Sequence, residues 1–425
     1  MNVAVVGAGW AGLAASIAAT RRGHQVTLFE SSRSLGGRAR SLPTLMPDGS
    51  STTLDNGQHI LIGAYKATLG LMRDTGIDPA AVLLRLPLTL RFPGGDGMEL
   101  PELPAPFDAV WGIATARGWS LRDKMSMLLA AIRWQFARFA CEPSNTVIEV
   151  CRGVTQRVLD ELIEPLCISA LNTPASRASG QVFLRVIRDS LFRAGHGGWA
   201  GSNLLLPRVD LGSVFPHRAS QWLEQAGARV QLGQRVQHIA VHGAGWQVDG
   251  ESYDVVVLAC APWEAARLVR GAWVDAAQWV ARADALTHEA IATVYLCGGP
   301  RLPLPMLALH PTGSAPAQFV FDRSHLGGPS GLLAFVVSAS AEDRAILQEQ
   351  VLAQAASLGW HGLAPVQTVV ERRATFACTP GLQRPGMAIA PGLLACGDYV
   401  EGPYPATIEG AVRSGLEAAS QLLAH

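Results

Sequence analysis

The first thirty residues constrain the fold more than any other stretch of the chain. Asn2-Val3-Ala4-Val5-Val6 is a short apolar run of the kind buried in a parallel sheet. Gly7-Ala8-Gly9-Trp10-Ala11-Gly12 follows at once, Leu13–Arg22 reads as a helix closing at Gly23, and Gln25–Phe29 is a second strand ending on Glu30. Each glycine has a physical task. Gly7 makes the tight turn, Gly9 lets the backbone approach a pyrophosphate, and Gly12 lets helix and strand pack closely. The helix that follows offers its positive end to that pyrophosphate, with Ala11 in the turn joining the cofactor-binding set. Glu30 is placed to accept hydrogen bonds from ribose hydroxyls. The unit predicts an α/β, Rossmann-like dinucleotide-binding fold, and NAD and FAD both fit it.

At 425 residues the chain is too long for one small core and suits two intertwined domains. After a helix around Ala64–Thr75, the prolines between Pro101 and Pro106 mark an exit into a second domain. Trp119–Ala140 and Thr155–Leu171 read as helices, and the glycine-rich Gly195–Ser202 turn brings the chain back. His217–Ala226 is predicted helical; Ala228–Leu232, Arg235–Val241 and the fully apolar Asp254–Ala259 are predicted strands. Ala292–Leu296, Gln318–Phe321 and Leu332–Val337 suggest a separate sheet. Gly392–Cys396 is a strand feeding Gly397-Asp398, with a last helix starting near Pro405. The expected organisation is a discontinuous cofactor domain (residues 1–100, 201–268 and 371–425) with an α+β substrate domain inserted. That insert comprises 101–200, mostly helical, and 269–370, a sheet with helices.

Composition narrows the function classes. Basic and acidic residues balance at 34 each, so no basic face is implied and nucleic acid is not an expected partner. The seven cysteines are scattered without a C-x-x-C pair, which argues against a disulfide framework or a metal site and for a reducing compartment. The early first strand leaves no room for a signal peptide, and no run of about 18 uncharged apolar residues occurs. The expectation is therefore a cytoplasmic protein. With 49% hydrophobic and 16% charged residues, peripheral attachment to the inner face of the cytoplasmic membrane joins that expectation. The Leu121–Ala140 segment, rich in Met, Leu, Trp and Phe with Arg133 and Arg138 between, is the candidate interfacial helix; ordinary packing against the substrate domain accounts for it equally well.

Ser34-Leu35-Gly36-Gly37-Arg38-Ala39, just after Glu30, resembles the G-G-R element of the amine-oxidase and phytoene-desaturase flavoprotein superfamily. There the turn and its Arg contact the pyrophosphate side of FAD. Ala395-Cys396-Gly397-Asp398-Tyr399 resembles that superfamily's late G-D element, whose acid contacts the ribityl chain. Thr407 and Ile408, in Pro405–Ala411, would open a helix whose amino end faces the flavin ring and stabilises the charge of the reduced form. Gln234–Ile239 resembles the strand in which a Val backbone, here Val236, pairs with adenine. The resemblance covers the whole chain and implies FAD.

Within the superfamily, amine oxidases carry a Lys on a substrate-domain strand and an aromatic ring just before the final E-G-A. Lys occurs here only at positions 66 and 124, and Thr407 stands in that ring's position, which argues against an amine substrate. Asp55-Asn56-Gly57-Gln58-His59 resembles the squalene-associated FAD-dependent desaturases, the hydroxysqualene dehydroxylases, with Gly57 joining the cofactor-binding set. That resemblance implies removal of an allylic hydroxyl from a long-chain isoprenoid, hydroxysqualene to squalene, in bacterial hopanoid synthesis. A carotenoid or phytoene-type desaturase is the alternative, and a flavin amine oxidase or a non-enzymatic FAD-containing lipid-binding protein stands behind it. Dehydroxylation needs an acid for the departing hydroxyl and a hydride from reduced FAD. His59 is the first candidate acid, followed by Asp55, Glu401 and Tyr404, then Asp322 and His196. No motif identifies the electron donor.

Overall fold

The computed structural model describes residues 1–422. A six-stranded sheet lies at its centre, in the order Arg229–Leu232, Gln25–Glu30, Asn2–Val6, Val255–Leu258, Leu393–Ala395, Ala388–Ala390. The first five strands run parallel and the last is antiparallel. Val5 stands between Leu28 and Val257 in this ladder, and Val3, Ala4 and Val5 are completely buried. Burial on both faces is why this strand reads as an unbroken apolar run. Strands from three distant parts of the sequence thus share one carboxyl edge, where such sheets bind ligands.

The helices Trp10–Arg21 and Ile408–Ser420 pack against each other with their backbones nearly touching. A Cβ on Gly415 would stand 2.2 Å from the Ala11 carbonyl oxygen, so a side chain there would force the helices apart. Two side chains fix the start of the later helix. The Thr407 hydroxyl caps it by accepting the Gly410 N–H at 3.0 Å. The buried Glu409 carboxylate accepts the N–H groups of Ala67 and Thr68 and the Thr68 hydroxyl, and pairs with Arg413 at 2.6 Å.

A second, five-stranded antiparallel sheet is ordered Met306–Ala308, Phe319–Asp322, Leu333–Ser338, His288–Cys297, Ala364–Phe376. The helix Arg344–Ser357 buries Leu347, Val351 and Ala355 against it. The helices Phe107–Thr115, Leu121–Phe136, Glu164–Leu171 and Gly180–Leu191 make the remaining wall, Trp134 meeting Phe183 edge-on at 6.3 Å.

Four expected elements differ in the structure. Arg235–Val241 is not one strand; only Ile239–His242 pairs. The Asp249 carboxylate accepts the N–H groups of Gln237 and His238, and Arg267 donates to the carbonyls of Val236 and Gln237. Side chains have taken the backbone groups that a ladder would use. The helix expected over Trp119–Ala140 spans Leu121–Phe136, opened by a Ser120–Asp123 capping box and ended by Arg138 and Phe139 at φ +52° and +56°. Thr155–Leu171 is interrupted by a π-helical turn over Leu159–Ile163. Pro165 has no N–H to continue the ladder there, which accounts for the widened turn. The last helix starts at Ile408 rather than near Pro405.

Candidate active site

At the carboxyl edge of the parallel sheet, segments from both ends of the chain enclose a cleft of about 1470 Å³. Gly7, Gly9 and Ala11 line it from the first turn, Gly36, Gly37 and Arg38 from the second, and Glu30 from the strand between. Gly397, Asp398, Thr407 and Ile408 close it from the other end of the sequence, and His59 stands in its wall. Gly12, Gly57 and Val236 do not line it. Gly12 lies in the helix–strand contact, where a Cβ would meet the Gly7 carbonyl oxygen at 1.8 Å. Gly57 packs beside the His59 ring, and the Val236 carbonyl accepts from Arg267 at 2.8 Å.

The cleft has the features a bound dinucleotide requires. Nothing lies within 4 Å of the point where a Gly9 side chain would begin, so the backbone is bare toward the cleft. The Tyr399 hydroxyl and the Trp10 indole N–H are buried in its wall without a partner among the described residues. Glu30 Oε2 accepts the Ala8 N–H at 2.8 Å and Oε1 accepts the Ser32 N–H at 2.8 Å, so this carboxylate also holds the glycine turn in shape. Arg38 donates to Asp398 at 2.5 Å and to the Ala374 carbonyl at 2.6 Å. Burial pulls the Arg38 pKa down, but Asp398 and Glu371 outweigh it and hold the guanidinium above its ordinary value.

A second cavity of about 1060 Å³ adjoins the first and shares Thr407 with it. Its wall is apolar, with Leu88, Leu90, Leu166, Phe183, Ile187 and Met306 prominent. Its one charged lining residue is Asp189. The Tyr404 hydroxyl donates to Asp189 at 2.8 Å, and Asp189 is held by Arg188 at 2.9 Å and Arg193 at 3.3 Å. Burial pushes the Asp189 carboxyl up, but hydrogen bonds from Arg188 and Tyr404 win and lower it. Burial and Asp189 together raise the Tyr404 phenol, with the Arg413 guanidinium stacked 5.0 Å over its ring in opposition.

Of the four acids singled out first from sequence, Tyr404 alone lines the apolar cavity. His59 is on the cofactor side. Burial lowers its pKa, and Arg38 adds to this against the Gly57 carbonyl, so it is neutral at neutral pH. Glu401 is exposed and lines neither cavity. Asp55 is buried in a clasp between the two sheets. Its Oδ1 accepts the Leu211 N–H at 2.8 Å, its carbonyl accepts from Tyr295, and Arg323 stands 3.8 Å away. Asp322 is a buried strand-end residue accepting the Leu302 N–H, and His196 bonds Arg73. Sequence reading missed Asp189 and Trp263. Asp189 stands well around its helix from the apolar Phe183 and Ile187, so no sequence pattern marks it although it is buried. Trp263, in the cofactor cleft, opens a helix directly after an apolar strand at the sheet's carboxyl edge.

The sequence pattern of the flavin containing amine oxidoreductases matches residues 10–423. Over their full lengths the chain is 28% identical to the hydroxysqualene dehydroxylase of Rhodopseudomonas palustris, covering 100% of this chain and 98% of that one. It is 25% identical to the enzyme of the same name from Zymomonas mobilis, covering 99% of each. Its backbone superimposes on an oxidoreductase from Methanosarcina mazei with a TM-score of 0.73 at 15% identity, over 99% of this chain and 100% of that one.

Two outcomes test this site. Glu30→Ala removes charge-assisted hydrogen bonds worth roughly 1.5–3 kcal/mol each, so flavin should dissociate about 10- to 100-fold more readily. Flavin absorbance after desalting reads this, and unchanged retention would contradict the placement of Glu30. Burial raises the Asp55 carboxyl to about 6 despite the Leu211 N–H and Arg323. The folded state thus binds this proton more tightly than the unfolded chain, and stability falls as pH rises from about 4 to about 6. Asp55→Asn should remove that component. The difference in urea unfolding free energy between parent and variant should shift by about 2–3 kcal/mol across the window and then level off. A pH-independent difference would contradict it.

Proposed function

The chain belongs to the flavin-containing amine oxidoreductase family and is an FAD-dependent oxidoreductase, and we propose that within this family it converts hydroxysqualene to squalene. One observation carries the reading: a mainly apolar cavity meets the cofactor cleft at Thr407, with a charged corner beside the junction. Binding a long hydrocarbon is mainly burial of apolar surface, at about 25 cal/mol per Å². The cavity wall supplies that surface, and none of its lining residues is a Lys to suit an amine.

In the proposed reaction the carbon–oxygen bond of the allylic alcohol breaks, water leaves, and the carbon receives hydride. Bound and reduced, FAD supplies that hydride and its two electrons. Gly9, Ala11 and Arg38 would hold the cofactor's pyrophosphate, and Asp398 its ribityl chain. Tyr404 gives its proton to the departing oxygen. Even with a raised pKa a phenol is a stronger acid than water, so the transfer runs downhill once the bond breaks. At rest that proton lies on the hydrogen bond to Asp189, so the hydroxyl turns from Asp189 onto the substrate oxygen to deliver it, and Arg413 over the ring offsets the phenolate charge. The apolar wall excludes water that would otherwise recapture the allylic cation.

Reduced enzyme mixed anaerobically with hydroxysqualene should reoxidise in step with squalene formation. If the flavin stays reduced, yet oxidised enzyme is bleached by squalene or phytoene, the protein is a desaturase instead. Tyr404→Phe should retain flavin and lose about 10²–10⁴-fold in turnover of the alcohol. Full activity in that variant would rule Tyr404 out as the proton donor.

A further inference from the structure

We propose that the outer face of the helices Phe107–Thr115 and Leu121–Phe136 docks on an anionic lipid bilayer. Along the second helix, Leu121, Met125, Leu129, Ile132 and Phe136 form an exposed stripe at steps of four and three residues, with Leu121 76% and Phe136 87% exposed. Phe107, Val110 and Trp111 extend it on the first helix, which packs beside the second. The inner face of the second helix is already satisfied by Met127, Ala130 and Trp134 in the core. The stripe is therefore a separate surface of the molecule, too contiguous for the scattered apolar residues of an ordinary exterior.

Charge identifies the occupant. Between residues 107 and 140 both acids, Asp108 and Asp123, are buried, whereas Arg117, Arg122, Arg133 and Arg138 are exposed. An apolar stripe whose own two helices and adjoining turns, from 107 to 140, expose cations and no acid matches acyl chains beneath anionic headgroups. A second copy of the chain would set these cations against their own kind. No helix among the described residues is long and apolar enough to cross a membrane, so the contact is peripheral. The face also lies directly over the apolar cavity. Trp134 on its inner side meets Phe183 of the cavity wall, and Phe139 past the helix end packs on Phe192 at 4.9 Å, next to the wall residue Leu191. Docking would present that cavity to the lipid phase in which an isoprenoid substrate resides. This purpose rests on the isoprenoid reading above, whereas the docking itself does not.

The test uses flavin-loaded enzyme without substrate, so its result is independent of turnover. Phosphatidylcholine vesicles, with and without phosphatidylglycerol, are floated with the protein. The parent should float with the phosphatidylglycerol vesicles, and high salt should reduce the binding only in part. The double variant Leu129→Asp/Phe136→Asp should bind at least tenfold more weakly with flavin content and melting temperature unchanged. Arg122→Glu/Arg138→Glu should lose the preference for phosphatidylglycerol. Failure of the parent to float, or equal binding by parent and both variants, would overturn the proposal. So would a parent dimer in sedimentation equilibrium that Leu129→Asp/Phe136→Asp dissolves, since a second copy would then cover the face.

Discussion

The close approach of the helices Trp10–Arg21 and Ile408–Ser420 is the contact on which the rest of the site depends. Glycine at 415 lets the second helix lie against the Ala11 carbonyl, and glycine at 12 lets the first lie against its own turn. Their amino ends, at Gly9 and at Thr407, therefore open on the same cleft although the sequence separates them by nearly the whole chain. Two helix amino termini aimed at one cavity create a region of positive potential suited to an anionic cofactor. Glu409 makes this arrangement rigid by tying the second helix to the Lys66–Asp74 helix through buried, charge-assisted hydrogen bonds.

From that junction the molecule divides its electrostatics between two compartments. The cofactor cleft collects charge: Glu30, Arg38, Glu371 and Asp398 all line it. The adjoining cavity excludes charge except at Asp189, whose burial cost is met by two arginines and a phenol. A lone carboxylate in such a wall would be neutralised by protonation; a paired one stays ionised and holds Tyr404 in a fixed direction. The structure thus separates a charged cleft from an apolar cavity, and joins them at a threonine rather than at a bulky ring.

Much of this was legible in the sequence, for identifiable reasons. The Gly7–Gly12 turn, Glu30 and the Gly397-Asp398 pair are local patterns whose backbone demands leave few alternatives, and all of them meet in the cleft. What was not legible depended on partners distant in sequence. Arg235–His238 carries a strand pattern, yet Asp249 and Arg267 capture its backbone. Asp55 looked like a loop acid beside the flavin, but Leu211, Tyr295 and Arg323 draw it into a clasp between sheets. Asp189 needed the fold itself, because only tertiary packing places that helix opposite Tyr404.

If the apolar cavity takes the hydrocarbon, that chain must reach the flavin at Thr407. A crystal structure of the FAD-loaded enzyme soaked with squalene tests it most directly. The account predicts continuous hydrocarbon density between Leu88, Phe183 and Met306, with one part of the chain in van der Waals contact with the flavin ring beside Thr407. Squalene bound outside that cavity, or a flavin ring turned away from Thr407, would contradict it.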